Sequence, residues 1–575
     1  MGTKKKRNWM GCVIVAVLVA AAFAVAVIYF GRSVQQMTMA ACAAASGAGS
    51  EGARFAQSNA SDSYAIEALS HSKKFADIRA DKFSDVAESA VSSVAAPRSQ
   101  APVPETPGYE RYAEFKENEF LEAAANPLST FSIDVDTASY TMARRFLADM
   151  KRLPARDSIR LEEFVNYFDY GYADPTGNVP VAVHCEMAEC PWKKGHKLLR
   201  VGVQAKRIDS KTLPPNNLTF LIDVSGSMGS PNCLPLLVKS MKLMVDQMRD
   251  EDHVSIVTYA NGVEVRLSAT SGRDKRRIHN VLDGLRAYGG TNGGEGLRLA
   301  YEEAKKNYRR DGNNRVILAT DGDFNVGLRS DAELVRFIEQ KRDDGIFLTV
   351  LGVGMGNYQD AKMKKIADAG NGHYAYIDGL LEAKKVLMTE FAGTLFTVAK
   401  DVKIQIELNP AHVASYRLLG YESRLLKAKD FNDDKKDAGE MGAGHSVTAL
   451  YEIVPPGTAS DVPKTDALKY QKSVAVDSAE VLTVKLRYKD PKGEKSTLIE
   501  QPLTAEALVK AEPSLDFCFA SAVAEVALLL RDSAMKGNAS YDAAIDRARK
   551  SKGDDVNGYR AEFIRLAEAA QLYSR

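Results

Sequence analysis

Between about residues 216 and 396 the chain alternates short, predominantly apolar runs with amphipathic stretches, and this alternation limits the possible fold more than any other feature. The runs 218–222, 254–259, 316–319 and 347–353 are too apolar for strands with one wet face. They are separated by stretches with helical spacing at 234–248, 275–285, 294–308, 332–341, 360–369 and 383–396. Strand and helix in alternation, with strands buried on both sides, predict an α/β domain: a doubly wound, Rossmann-like parallel sheet covered by helices on both faces. Ligands of such sheets bind just beyond the carboxyl ends of the strands.

On either side of this segment the period changes to two. Leu199, Val201 and Val203 alternate with polar neighbours within 179–206. The same pattern returns in Val402, Ile404, Ile406 and Leu408 and again in Leu482, Val484, Leu486 and Tyr488. These are half-buried antiparallel strands that need sheet partners. Because the two groups flank the central segment, they are predicted to join in one antiparallel β-sandwich with the α/β domain inserted. A short strand is expected at 131–136, helices at 139–150 and 161–168, and C-terminal helices at 515–531, 541–550 and 557–573. In the first of these last three, Ala520, Val523, Val526, Ala527 and Leu530 form a packing face. The charged, glycine-bearing stretch 430–444 reads as an exposed loop. Asp134 and Asp136 read as solvated strand positions rather than a metal pair. His184, Cys185, Cys190 and His196 match a zinc site in residue type only, since their spacing fits no usual pattern.

Length and charge add limits. A chain of 575 residues exceeds a single hydrophobic core, and a formal net charge of +1 provides no field toward nucleic acid. Six cysteines are too few for a disulfide scaffold of this size; pairing of Cys185 with Cys190 is left open. Lys4, Lys5, Lys6 and Arg7 precede an uncharged apolar run over 13–30 with Trp9 and Tyr29 near its ends. This predicts an uncleaved N-terminal transmembrane helix with the basic cluster in the cytoplasm and the folded part outside, in the cell envelope or periplasm. Lipidation at Cys42 is the weaker reading. The expected division is 1–36 as basic segment and anchor, 37–107 as a low-complexity tether with a weak helix within 64–94, 108–212 as an N-terminal domain, 213–397 as the α/β domain and 398–575 as C-terminal strands and helices.

Chemistry gathers at the strand mouths. Asp223, Ser225 and Ser227 follow the run 218–222, so one carboxylate and two hydroxyls at alternate positions can turn toward one point. Hard divalent cations want oxygen ligands, and Mg²⁺ takes only one or two carboxylates. Thr291 sits in a loop of glycines, Gly289, Gly290, Gly293 and Gly294, just before a helix, and the strand 315–320 delivers Asp321 at its end.

With those residues in view, the chain resembles the von Willebrand factor type A domain. Asp223, Ser225, Ser227, Thr291 and Asp321 match the five positions of that family's metal-ion-dependent adhesion site. The resemblance implies Mg²⁺, or Mn²⁺ or Ca²⁺, held directly by Ser225 and Ser227. Thr291 would bind directly or through water, Asp223 and Asp321 largely through water, and an open position would take a partner's Asp or Glu. The stretches 131–140, 165–170, 320–327, 437–440 and 444–445 resemble the bacterial membrane-associated or lipoprotein group of this family, whose A domain lies between its own N-terminal domain and a C-terminal domain of unknown function. Gly290 stands where that group usually has serine. The expectation is a membrane-tethered, non-enzymatic binding protein. Two rivals are a metal-dependent hydrolase using Ser227, whose surroundings Ser225-Gly226-Ser227-Met228-Gly229 approach a nucleophile elbow, and an A domain that docks on a cytoplasmic ATPase.

Overall fold

The computed structural model describes residues 116–133, 136–208, 213–322, 331–354, 360–389, 396–436, 438–458, 478–491, 493–510 and 512–575, all within one compact unit, Thr106–Arg575. The predicted anchor, the tether and its weak helix lie outside the described residues. Among the described residues no helix is long and apolar enough to cross a membrane.

The chain begins with β1 (Leu121–Glu122), β2 (Leu128–Ser132), α1 (Ala138–Ala148), α2 (Leu161–Val165), β3 (Val181–Glu189) and β4 (Lys197–Ala205). The central part follows with β5 (Asn216–Asp223), α3 (Leu234–Gln247), β6 (His253–Tyr259), β7 (Val263–Ser271), α4 (Lys275–Asp283), α5 (Gly293–Lys306) and β8 (Asn313–Thr320). It continues through α6 (Asp331–Asp343), β9 (Phe347–Gly352), α7 (Asp360–Ala369), β10 (Tyr374–Tyr376) and α8 (Leu380–Lys384). Strands then return as β11 (Thr397–Leu408), β12 (Ser415–Leu419), β13 (Gly439–Gly442), β14 (Ser446–Val454), β15 (Glu480–Lys489) and β16 (Ser496–Thr504). The helices α9 (Leu515–Leu530), α10 (Tyr541–Lys550) and α11 (Tyr559–Tyr573) close the chain.

The central sheet has the order β10-β9-β8-β5-β6-β7, parallel except where β7 returns antiparallel on β6. Every residue of β5 and of β8 is buried, as their apolar runs require. Phe220 and Ile222 pack with Leu237 and Met241 of α3 and Leu282 of α4 on one face. Leu221 packs with Leu297 of α5 and Ile338 of α6 on the other. Each such side chain contributes on the order of 1.5–3 kcal/mol when fully buried. β7 did not stand out because it is an edge strand whose Val263, Val265 and Leu267 alternate with Glu264, Arg266 and Ser268, a weaker signal than an unbroken apolar run.

The flanking strands form two antiparallel sheets, β1-β12-β14-β4-β3 and β13-β11-β15-β16, with β2 added to β11. Val201 and Val203 from before the central domain share one buried cluster with Ile404, Ile406, Val484 and Leu486 from after it, so the two sheets are the faces of a sandwich. Leu198, Leu419 and Leu450 point out of the opposite face, where α2 and α9–α11 cover them.

Three sequence expectations change, and the open question of a Cys185–Cys190 pair is decided. Within 430–444, β13 pairs with β11 and Met441 is fully buried; a four-residue strand with glycine at both ends carries almost no alternation to detect. Asp136 is buried and pairs with Lys364 at 2.8 Å rather than facing solvent, whereas Asp134 lies outside the described residues. Cys185 and Cys190 are both free thiols. The helix expected over 383–396 begins earlier, at Leu380, and passes into a π turn over Lys385–Thr389; 390–395 lies outside the described residues. Of the zinc-like quartet, His196 bonds Glu452 through Nδ1 at 2.6 Å and His184 stacks on Tyr172.

One helix joins all parts. Ala138 and Met142 of α1 pack into the central domain, while Tyr140, Ala143 and Leu147 pack with the C-terminal helices. Between these faces the buried guanidinium of Arg144 donates to Asp378 through two 2.6 Å bonds, to Glu382 at 2.7 Å and to Glu562 at 3.0 Å. Removing one partner of a buried pair leaves the other uncompensated, at about 3–5 kcal/mol. Arg144→Met should therefore lower the thermal midpoint of the protein by several degrees and expose the junction of α1, α8 and α11 to hydrogen exchange; an unchanged melting curve would contradict this role.

Candidate metal centre

β5 and β8 are neighbours, yet the chain reaches β8 only after running outward through β6 and β7 and crossing back. The strand order reverses between them, and that crevice is where a doubly wound sheet binds its ligand. Asp223 is the last residue of β5, and Asp321 directly follows β8. Two carboxylates are thus delivered to the switch point by the fold itself.

Asp223 is fully buried. One carboxylate oxygen accepts the Ser225 backbone N–H at 2.8 Å, an Asx turn that reverses the chain as it leaves the sheet. The other accepts the Thr320 hydroxyl at 3.3 Å. Thr320 Oγ1 in turn accepts the Gly322 N–H at 3.2 Å, which bends the chain immediately beyond Asp321. The next turn, Gly226–Gly229, sets the Ser225 and Ser227 hydroxyl oxygens 3.1 Å apart.

The glycine loop carrying Thr291 is clamped onto this turn. Tyr288 N–H donates to the Val224 carbonyl at 2.7 Å, and Gly226 N–H donates to the Gly289 carbonyl at 3.0 Å. A Cβ on Gly226 would lie 3.3 Å from that carbonyl, so glycine permits the close approach. On its far side the loop is tied to the end of β6 by Asn292 N–H donating to the Ala260 carbonyl at 2.9 Å and Gly290 N–H donating to Asn261 Oδ1 at 2.5 Å. Asp223, Ser225 and Ser227 are therefore linked by hydrogen bonds, Thr291 is carried against them by its backbone, and Asp321 stands within electrostatic reach of Asp223. Ser225 is buried, Thr291 and Asp321 are half-buried, and Ser227, Tyr288, Gly289 and Gly290 form an exposed rim.

Burial pushes the Asp223 carboxyl up to about 6, with the Asp321 carboxylate adding to the rise and hydrogen bonds from Ser225 and Tyr259 opposing it. Burial and the Asp321 and Asp223 carboxylates raise the Cys233 thiol, to about 11. Both shifts come first from burial at the end of the sheet, with the neighbouring carboxylates adding to them, and a nearby cation would favour the charged carboxylate. The donor set fits a hard ion in number and kind. Adjacent oxygens of an octahedral Mg²⁺ shell with bonds of 2.0–2.1 Å lie about 3 Å apart, and the two serine oxygens are 3.1 Å apart. Among the described residues no three His, Cys, Asp or Glu side chains gather as a metal cage, so the donors here are hydroxyls backed by two carboxylates.

Three residues of the centre escaped the sequence reading. Thr320 and Tyr259 bond the Asp223 carboxylate, and Gly354 abuts Asp321 and Cys233. Thr320 and Tyr259 read in sequence only as strand residues; their position beside Asp223 is visible once β6 and β8 are known to flank β5.

The profile of the von Willebrand factor type A domain matches residues 217–387, that of von Willebrand factor matches 106–200, and that of the C-terminal part of the uncharacterized protein YfbK matches 393–572. The chain is 45% identical over 474 residues to the uncharacterized protein YfbK of Escherichia coli K12, covering 81% of each protein. The chain belongs to the YfbK family of von Willebrand factor type A domain proteins. It is also 26% identical over 324 residues to the uncharacterized protein sll0103 of Synechocystis, covering 55% of this chain and 72% of that one. Human inter-alpha-trypsin inhibitor heavy chain H2 is 29% identical over 166 residues, 28% of this chain and 17% of that protein. Among solved structures, the von Willebrand factor type A protein of Catenulispora acidiphila aligns with a TM-score of 0.37 at 18% identity, covering 66% of this chain and 89% of that one.

In this YfbK-family chain the raised Asp223 carboxyl has a testable consequence. An acid whose folded value lies above its unfolded one stabilises the fold when protonated, and that stability is lost as pH rises from about 4 through about 6. At pH 7.5 without divalent cation, Asp223→Asn should therefore raise stability by on the order of 3 kcal/mol while abolishing any further rise in melting temperature on adding Mg²⁺. A cation-free variant no more stable than the parent would count against this charge balance.

Proposed function

We propose that this protein mediates protein–protein contact through a divalent cation held by Asp223, Ser225, Ser227, Thr291 and Asp321, without catalysing a reaction. The observation that carries this reading is the pair of serine oxygens 3.1 Å apart beside the buried Asp223 carboxylate. Mg²⁺ suits the hydroxyl-rich set best, with Mn²⁺ or Ca²⁺ as alternatives. A bound cation would supply an electrophilic coordination position facing the exposed rim, where an Asp or Glu of a partner protein completes the shell. Membership of a von Willebrand factor type A family supports the interaction role. The basic cluster Lys4 to Arg7 and the apolar run that follows support a tether that holds the folded part on the outer side of the membrane.

Membranes solubilised in Mg²⁺ and passed over the immobilised protein should yield a partner that elutes with chelator. Thr291→Ala should reduce its capture at least tenfold, the scale expected for losing a metal-site group, with the melting temperature unchanged. A partner retained equally in chelator and by Thr291→Ala would overturn the proposal.

A further inference from the structure

Arg145 follows Arg144 on α1 but points elsewhere, and it is 1% exposed. Its guanidinium donates through Nη1 to the Tyr376 hydroxyl at 2.7 Å and to the Gly354 carbonyl at 3.4 Å, and lies 5.3 Å from the centre of the Tyr376 ring. The Tyr376 hydroxyl itself donates to the Gly354 carbonyl. Two donors, one from β10 and one from a helix outside the central domain's sequence, thus converge on one carbonyl.

That carbonyl belongs to a wedge. Gly354 has φ +85°, a conformation that side chains disfavour, and an added Cβ would lie 2.8 Å from Cys233 Sγ and 3.3 Å from Asp321 Cβ. Cys233 precedes α3, the helix that follows the Ser225–Ser227 turn. Gly354 therefore fills the space between two segments that each carry a side of the candidate metal centre. The strand ends beneath it are tied by Val353 N–H donating to the Thr320 carbonyl at 3.0 Å. A buried arginine is costly to desolvate, and this one directs Nη1 at the Tyr376 hydroxyl and the Gly354 carbonyl.

We propose that Arg145 and Tyr376 are positioning residues of the metal centre: they hold Gly354 against Asp321 and Cys233, and so make cation affinity depend on how α1 is seated. The inference rests on the metal-binding reading above. It adds a contribution to the site from the N-terminal part of the chain, through residues that touch neither cation nor partner.

The test uses the full chain and Mn²⁺ alone, titrated calorimetrically, with Tyr376→Phe, Arg145→Lys and Arg145→Met. Alkylation of Cys233 by iodoacetamide, followed by peptide mass analysis, is measured in parallel without metal. Tyr376→Phe keeps the ring and removes the donor; it should weaken Mn²⁺ binding about tenfold and speed Cys233 alkylation several-fold with the melting temperature retained. Arg145→Lys should recover part of the affinity lost in Arg145→Met. Parent-like Mn²⁺ affinity and parent-like Cys233 alkylation in a folded Tyr376→Phe protein would overturn the positioning role and leave the metal reading standing. A parent chain that binds no Mn²⁺ would overturn the metal reading and this inference together.

Discussion

β4, which leads into the central domain, lies hydrogen-bonded beside β14, which follows it, with Val201 opposite Ala449. β2 and β11 repeat the arrangement in the second sheet, with Phe131 opposite Ile404. Neither half of the sandwich can bury its apolar face without the other, because Val201, Ile404 and Val484 occupy one cluster. The central domain is consequently held at both its ends by strands that the hydrophobic effect keeps together. It is an insertion in a closed frame, with little of the freedom of a domain on a single linker.

The frame also brings buried charge against the inserted domain. Arg144 and Arg145 are adjacent on α1, and their side chains divide between two tasks. Arg144 gathers Asp378, Glu382 and Glu562, joining the end of the central domain to the last helix. Arg145 reaches the turn after β9. Glu163 of α2 extends the same interface: burial works to raise its carboxyl, but Arg160 and Lys364 and the Ser139 N–H outweigh burial and hold it down to about 2. The Arg144 and Glu163 pairs are specific in geometry and well partnered, and satisfaction is the condition under which buried ions fix an arrangement instead of weakening it. The von Willebrand factor type A domain of this YfbK-family chain thus carries its candidate metal centre at one end and an ionic seam with the rest of the chain along its side.

The central fold was legible because β5 and β8 are buried at every residue and carry apolar runs, 218–222 broken only by Thr219 and 316–319 unbroken; the helices between them announce themselves by their spacing. Asp223, Ser225, Ser227, Thr291 and Asp321 were legible as a set because a parallel sheet puts the ends of its strands side by side, so that residues distant in sequence share one rim. β7 and β13 were hidden, one by being an amphipathic edge and the other by consisting of glycine around a single buried methionine. The burial of Asp136 was hidden as well, since a carboxylate is normally solvated and only the position of Lys364 makes its burial tolerable.

The sequence by itself determined the class of the central domain and the periodicity of the strands around it, and put the candidate oxygen donors at strand ends, because these follow from local patterns of apolar and polar residues. Tertiary structure alone decided that β4 pairs with β14, that Thr320, Tyr259 and Gly354 lie at the candidate metal centre, and that of two neighbouring arginines of α1 one joins the end of the central domain to α11 while the other reaches the turn after β9. Those facts depend on which surfaces meet. Such contacts join residues far apart in sequence, Thr320 with Asp223 across 97 positions and Arg145 with Gly354 across 209, and no local period encodes them.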